Sequence, residues 1–392
     1  MSWRLAAWIR ERIANTMAKH ANDIASVREV PIRQTAHELE QTQITKQDKD
    51  LDGGRQLQNA GAETDHHSTA SGHLGGPGDE VVSSGITKDD FPFPGRADTF
   101  ARPLSESDRA ELEGRKEFAG WHATAANAGV ARLRALGPRP TAAQWRAEYG
   151  TLIDQRAEQG VAQFGQDHTT GKERFQIPIT DESPNRDQIG STGRLRAGSV
   201  WSDEAQAWVG GEPTPASRTF EEAGQRAKER FAAEEVTGDV LQNRVRLSDG
   251  SEVDGNQIVT GEAAEQIALE LKAQVAARGI DVSTFETKGE DLSFTITAKA
   301  ADRERILQDA FDQLGRPEKL TIHTWADNAY KLFQAPENKR GSDSVIRTFI
   351  AETGEYDLGR VPKFPHDIDL RANTMSQSDF VNYLVEYDAE HG

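Results

Sequence analysis

Apolar side chains recur every three or four positions along several stretches of the chain and every second position along others, and these periods predict helices and strands respectively. In residues 2–19, Leu5, Trp8 or Ile9, Ile13 and Met17 share one helical stripe, with Arg4, Arg10, Arg12 and Lys19 mostly off it. That is a short basic amphipathic helix. From about residue 41 to 98 the pattern lapses into polar, Gly-rich text with few large apolar residues. Such text buries too little surface to offset its ordering entropy, so a disordered linker is expected there.

Order is expected to resume near Leu104. Ser105 or Ser107 can cap a helix whose apolar side is Leu112, Phe118, Trp121, Ala125 and Val130, stopped by Gly137-Pro138. Thr141 can cap a second helix that buries Trp145, Tyr149, Leu152, Ile153 and Phe164, making a helical hairpin. Residues 165–217 read as loop with one hairpin, whose Trp201 and Trp208 either pin it to a core or line a ligand site.

A capping box at Thr219 and Glu222 predicts a helix, followed by a β-hairpin turning at Asp249-Gly250. Ala264, Ile267, Ala268, Leu271 and Val275 give the next helix one face, with Gly279 as its stop. Ile280, Val282 and Thr284 alternate as a strand, as do Leu292, Phe294 and Ile296. A helix with Ile306, Leu307, Ala310, Phe311 and Leu314 on one side follows, and Leu320 and Ile322 suggest a last strand. Strand, helix, strand, strand, helix, strand is the order of a ferredoxin-like unit, with both helices on one sheet face. The other face would carry Ser293, Thr295, Thr297, Thr321 and His323, a hydroxylic surface covered by the carboxy-terminal segment or open to RNA.

The expected fold class is therefore α+β. Residues 1–40 form an amphipathic helix region, 41–98 a disordered linker, and 99–217 a helical hairpin with an irregular loop region. Residues 218–325 form the ferredoxin-like unit, and 326–392 an irregular extension packed on it. The stretches LELKAQVAARG, IDVSTF and GRPEKLTIHTW, within about residues 220–325, resemble the small α/β modules of large polyvalent proteins and conjugative relaxases on bacterial mobile elements. The relaxase chemistry of those families needs a catalytic Tyr with a histidine triad, which this sequence lacks, so the resemblance implies an accessory module or passenger protein.

The 392 residues include no Cys, which excludes disulfides, Cys-ligated metals and a thiol nucleophile. No apolar run reaches the length of a bilayer-spanning helix, and the start has no uncharged signal-peptide core. A cytoplasmic location is expected. With 64 acidic against 46 basic residues the formal charge is −18, which opposes non-specific nucleic-acid binding. Phosphate-binding GxxxxGK[ST], GxGxxG and the GxSxG nucleophile elbow are all missing.

The densest reactive set lies near the carboxy end. Imidazole and carboxylates at His323, Asp327, His366 and Asp369 are candidate ligands of a divalent metal, and His323, His366, Asp367 and Asp369 candidate catalytic groups. Alternatively, Asp367 and Asp369 cap a helix or pair with Arg360 and Arg371. Arg340, Ser342 and Arg347 suit an anion pocket at a helix start, where Ser342 is otherwise an N-cap. His122 is either a catalytic histidine or a packing residue, and His66, His67 and His73 could form a metal tract.

Trp3, Trp8 and Ile13, with Phe380, Tyr383 and Tyr387 of a closing helix, are candidate partner-docking residues. The first group equally suits a membrane surface, although one helix alone anchors weakly. The expected function is a non-catalytic binding or accessory protein, of a bacterial mobile element or phage, that docks a protein partner without a cofactor. The alternative is a metal-dependent hydrolase, nuclease-like or a secreted effector, using the carboxy-terminal His and Asp residues.

Overall fold

The computed structural model describes residues 85–92, 106–164, 175–190, 193–277, 279–289 and 291–392. The expected amino-terminal helix with Trp3, Trp8 and Ile13, the histidines at 66, 67 and 73, and most of the expected linker lie outside them. Residues 85–92 differ from the linker expectation. Ile86 and Phe91 are buried in the main core, Asn127 Nδ2 donates to the Ile86 carbonyl at 2.8 Å, and Lys363 pairs with Asp90 at 2.8 Å.

In chain order, the described residues form α1 Glu106–Ala135, α2 Ala142–Phe164, β1 Arg186–Ile189, β2 Val200–Ser202, β3 Ala207–Val209, α3 Pro215–Ala233, β4 Val240–Arg246 and β5 Glu252–Val259. They continue with α4 Gly261–Ala276, β6 Ser293–Ile296, α5 Ala300–Leu314, α6 Ile322–Gln334, α7 Ser342–Leu358, α8 Ile368–Thr374 and α9 Gln377–His391. The chain is a mixed helix and sheet protein. The expected helical hairpin is α1 and α2, turned at Gly137, whose φ of 119° only glycine adopts readily. Thr141 caps α2, its hydroxyl accepting from the Gln144 N–H at 3.3 Å while Gln144 Oε1 accepts from the Thr141 N–H at 2.8 Å.

Two expected strands do not form. Residues 280–284 carry no strand, and Ile280 and Val282 only lean on the cluster beneath α4. Ile322 opens α6 instead, because Thr321 caps that helix by accepting from the Thr324 N–H at 3.2 Å, and Leu320, just before the cap, packs into the main core. The capping box expected at Thr219 lies five residues earlier, where Thr214 accepts from the Ser217 N–H at 3.1 Å with Pro215 in the first helical turn.

The main sheet has the order β1-β6-β5-β4, antiparallel throughout. Alternating direction leaves β1 and β4, the strands joined through α3, antiparallel, and likewise β5 and β6, joined through α4. A βαβ crossover needs parallel strands, so the sheet is not the ferredoxin-like one expected. Nor do its helices share a face. Val259 and Phe294 pack with α4, whereas Ile189, Leu241 and Ile258 pack with Phe220, Ala223 and Ala227 of α3. The hydroxylic face expected to be open or covered by the tail is thus closed mainly by α3, with Leu370 of α8; Ser293 and Thr295 are buried.

The largest core lies on the helical side. It joins α1, α2, α5, α6, α7 and α9 to Val245 and Val253 of the hairpin, so residues after 326 supply much of the core. A buried amide hub ties this half to the sheet. Asn256 donates to Asn373 Oδ1 at 2.9 Å and to the Phe333 carbonyl at 3.2 Å, while its own N–H donates to Gln334 Oε1 at 2.8 Å. Asn243 donates to the Asn373 carbonyl at 3.0 Å. Buried amides satisfied this fully fix one register of helix on sheet. Gly255 belongs to the same device, since a Cβ there would fall on Gln334.

Candidate functional site

The carboxy-terminal His and Asp residues are held where α3, α7 and α8 meet. Helix α7 begins at Gly341, whose φ of 74° admits the turn, and projects Arg347 towards α8. Arg347 Nε donates to Asp343 at 2.9 Å, and Nη2 donates to Asp369 at 2.8 Å and to the His366 carbonyl at 2.8 Å. Asp367 accepts from Arg371 Nε at 2.8 Å and from Arg226 Nη2 of α3 at 3.4 Å. His366 Nε2 lies 3.2 Å from the Thr219 hydroxyl. Burial pulls the His366 imidazole below its ordinary range, with Arg347 adding to the shift against Asp367.

These contacts follow the pairing alternative for Asp367 and Arg371. Arg360, the other expected partner, instead clamps Asp388 of α9. The proposed metal constellation is not assembled. His323 is exposed in the first turn of α6, and Asp327 pairs with Lys331 at 2.6 Å and accepts from Gln377 at 2.6 Å. Among the described residues no three His, Asp or Glu groups are placed to share a metal ion.

The anion pocket is likewise closed from within. Ser342 is not the cap of α7; its hydroxyl donates to the Asn338 carbonyl at 2.7 Å and staples the preceding turn. Arg347 spends its charge on two carboxylates, and Arg340 is buried with a partner of its own. Of the docking residues on α9, Phe380 is fully buried against Tyr330, with ring centroids 5.4 Å apart, and therefore closes the core. Tyr383 is half-buried under the Arg371 guanidinium at 4.2 Å, and Tyr387 stacks on His391 at 4.0 Å.

A second polar seam runs between α1 and α7. His122 is buried beside Phe91, and its Nδ1 lies 2.6 Å from the Thr348 hydroxyl. Thr348 gives its proton to the Ser344 carbonyl at 2.9 Å, so the imidazole Nδ1 is the donor between them. Burial holds this imidazole well below its ordinary range, and Arg156 and Arg347 push it further, so His122 is neutral. One turn on, Glu352 is completely buried, and neither carboxylate oxygen has a hydrogen-bond partner. Burial and the neighbouring Glu148 raise its carboxyl well above the usual range, while Glu148 itself is clamped by Arg132 at 2.6 and 2.9 Å. His122 thus follows its packing alternative. Glu352 was not among the expected site residues, although Val345, Phe349 and Glu352 share a helical face at intervals of four and three.

The remaining feature is the β2–β3 ribbon. Val200 faces Val209, Trp201 faces Trp208, and the turn at 203–206 is closed by Gln206 at a φ of 51°. Alternation puts the two valines on one face and the two tryptophans on the other. Val200 is 62% and Val209 40% exposed, and the half-buried tryptophans contact each other edge to face at 6.0 Å. None of the four belongs to the apolar clusters, so the tryptophans do not pin the ribbon to a core. Arg196 fastens its base, donating to the Gly211 carbonyl at 3.1 Å and to Glu221 of α3 at 2.7 Å. Beside that base lies a cleft of about 470 Å³ bounded by Arg196, Glu221, Glu222, Lys228 and Asp291.

Among the described residues no helix is long and apolar enough to cross a membrane. Compared with known protein families and with curated proteins, the chain matches no family model and no curated relative.

Proposed function

We propose that this chain is a non-catalytic binding protein that docks a protein partner through the β2–β3 ribbon. The observation that carries this reading is the exposed Val200 and Val209 pair, backed by two tryptophans that serve no apolar core. Exposed aliphatic side chains paired across a ribbon, with half-buried tryptophans on its other face, cost solvation free energy in isolation, and Trp is among the residue types enriched where interfaces concentrate their energy. The carboxylates near the carboxy end support the same reading, because the charges of Asp327, Asp367 and Asp369 are already committed to neighbouring side chains. An accessory role on a mobile element, suggested by the texture of residues 220–325, is compatible with a docking protein and is part of the proposal.

The test is a comparison of partner capture by the full chain and by a Val200→Asp, Val209→Asp double variant. Both positions are exposed, so the variant should melt within a degree or two of the parent. The account expects it to lose the captured polypeptide. Retention of the same polypeptide at the same yield by both proteins contradicts it.

A further inference from the structure

We infer that the partner presented to this ribbon is a basic protein segment, with Lys or Arg side chains alternating with apolar ones. The inference rests on the docking reading above and adds the partner's chemistry. Between residues 197 and 212 the only charged side chains are Asp203, Glu204 and Glu212, and all three are exposed. Arg196, at the base, offers no free positive charge, being spent on Glu221 and on the Gly211 carbonyl. The ribbon therefore presents apolar side chains inside a wholly acidic set of charges.

Geometry at the turn sharpens this. Trp201 Nε1 donates to Asp203 Oδ1 at 2.9 Å, which holds a carboxylate beside an indole. An ammonium or guanidinium group arriving there meets an ion-pair partner and a π face together. The two valines on the opposite face accept the apolar side chains of an extended segment, whose alternate residues point to opposite sides. The cleft at the base continues the acidic character through Glu222, while Lys228 is paired with Asp291. A nucleic acid backbone or an anionic lipid surface would meet repulsion at the same groups.

The test uses the full chain and a short fluorescently labelled peptide alternating Lys and Val, with a Glu and Val peptide as its counterpart. Anisotropy is read in low and high salt, for the parent, for Asp203→Lys with Glu204→Lys, and for Val200→Asp with Val209→Asp. The Lys peptide is expected to bind the parent at least about tenfold more tightly than the Glu peptide, to weaken with salt, and to lose its advantage on the Asp203→Lys, Glu204→Lys variant. Equal binding of the two peptides, or a preference unchanged in that variant, overturns the basic-segment inference and leaves the docking reading standing. Binding that ignores Val200→Asp with Val209→Asp overturns the docking reading itself. Ribbon-dependent binding to phosphatidylserine vesicles in place of the Lys peptide overturns the assignment of a protein segment.

Discussion

At the scale of single residues, Glu352 stands out among the described side chains as a buried carboxyl with no hydrogen-bond partner on either oxygen. It lies fully buried against Gly129 of α1, and a Cβ at position 129 would fall on its carboxylate. Alanine normally stabilises a helix interior over glycine by about 1 kcal/mol, but here the sign should invert, and Gly129→Ala should lower the melting temperature. The charged groups facing Glu352 are Glu148 of α2, which disfavours its ionisation, and Arg132 of α1, which favours it. Its folded pKa lies well above the usual 4.5, so its contribution to stability is fully present below that value and is lost as pH rises towards the folded pKa. Replacing the unpaired carboxyl by an apolar side chain of similar length, Glu352→Met, should therefore stabilise the protein by roughly 1–3 kcal/mol at neutral pH. The gain should shrink in urea titrations run at progressively lower pH. A gain that grows as pH falls contradicts the assignment. The helical face of Glu352 was legible in the sequence, but its lack of a partner was not, because Glu148 and Arg132 come from other elements and pair with each other.

At the scale of elements, the helices were more legible than the sheet. Helical periodicity reports which face is buried, whatever it is buried against, and α1, α2, α4, α5 and α9 follow it. Alternation was misleading at 280–284 and 320–322, because Ile280, Val282 and Leu320 are apolar for packing and have no strand to pair with. Antiparallel pairing of β6 with both β1 and β5 is a property of residues more than thirty apart and leaves no local mark. The candidate site divides in the same way. The acids of residues 365–369 could be read as ligands or as ion-pair partners, and the choice was made by Arg226 and Arg347, on α3 and α7. A pairing role predicts that Asp369→Ala leaves the Arg347 guanidinium under-compensated in the interior and costs on the order of 3 kcal/mol in urea denaturation. A variant as stable as the parent contradicts this and returns Asp369 to the set of groups held ready for chemistry.

At the scale of the whole molecule, the short segment 85–92 is part of the folded body. Ile86 and Phe91 are 4% and 3% exposed, and Phe91 stacks on His122 at 4.9 Å. A chain starting at residue 99 should therefore be less stable than one starting at residue 85 by roughly 3–6 kcal/mol, the burial of two large apolar side chains. Equal unfolding free energies for the two truncations contradict this packing. The same body carries the ribbon through the Arg196–Glu221 pair, so the proposed docking surface is tied to α3 at its base. The most direct test of the docking account is photo-crosslinking from the full chain, with a photoreactive residue at Val200 and, as control, at the comparably exposed Leu136 of the α1–α2 turn. The account predicts a discrete covalent adduct with another polypeptide from position 200 and none from position 136. Identical adducts from both positions, or none from position 200, contradict it.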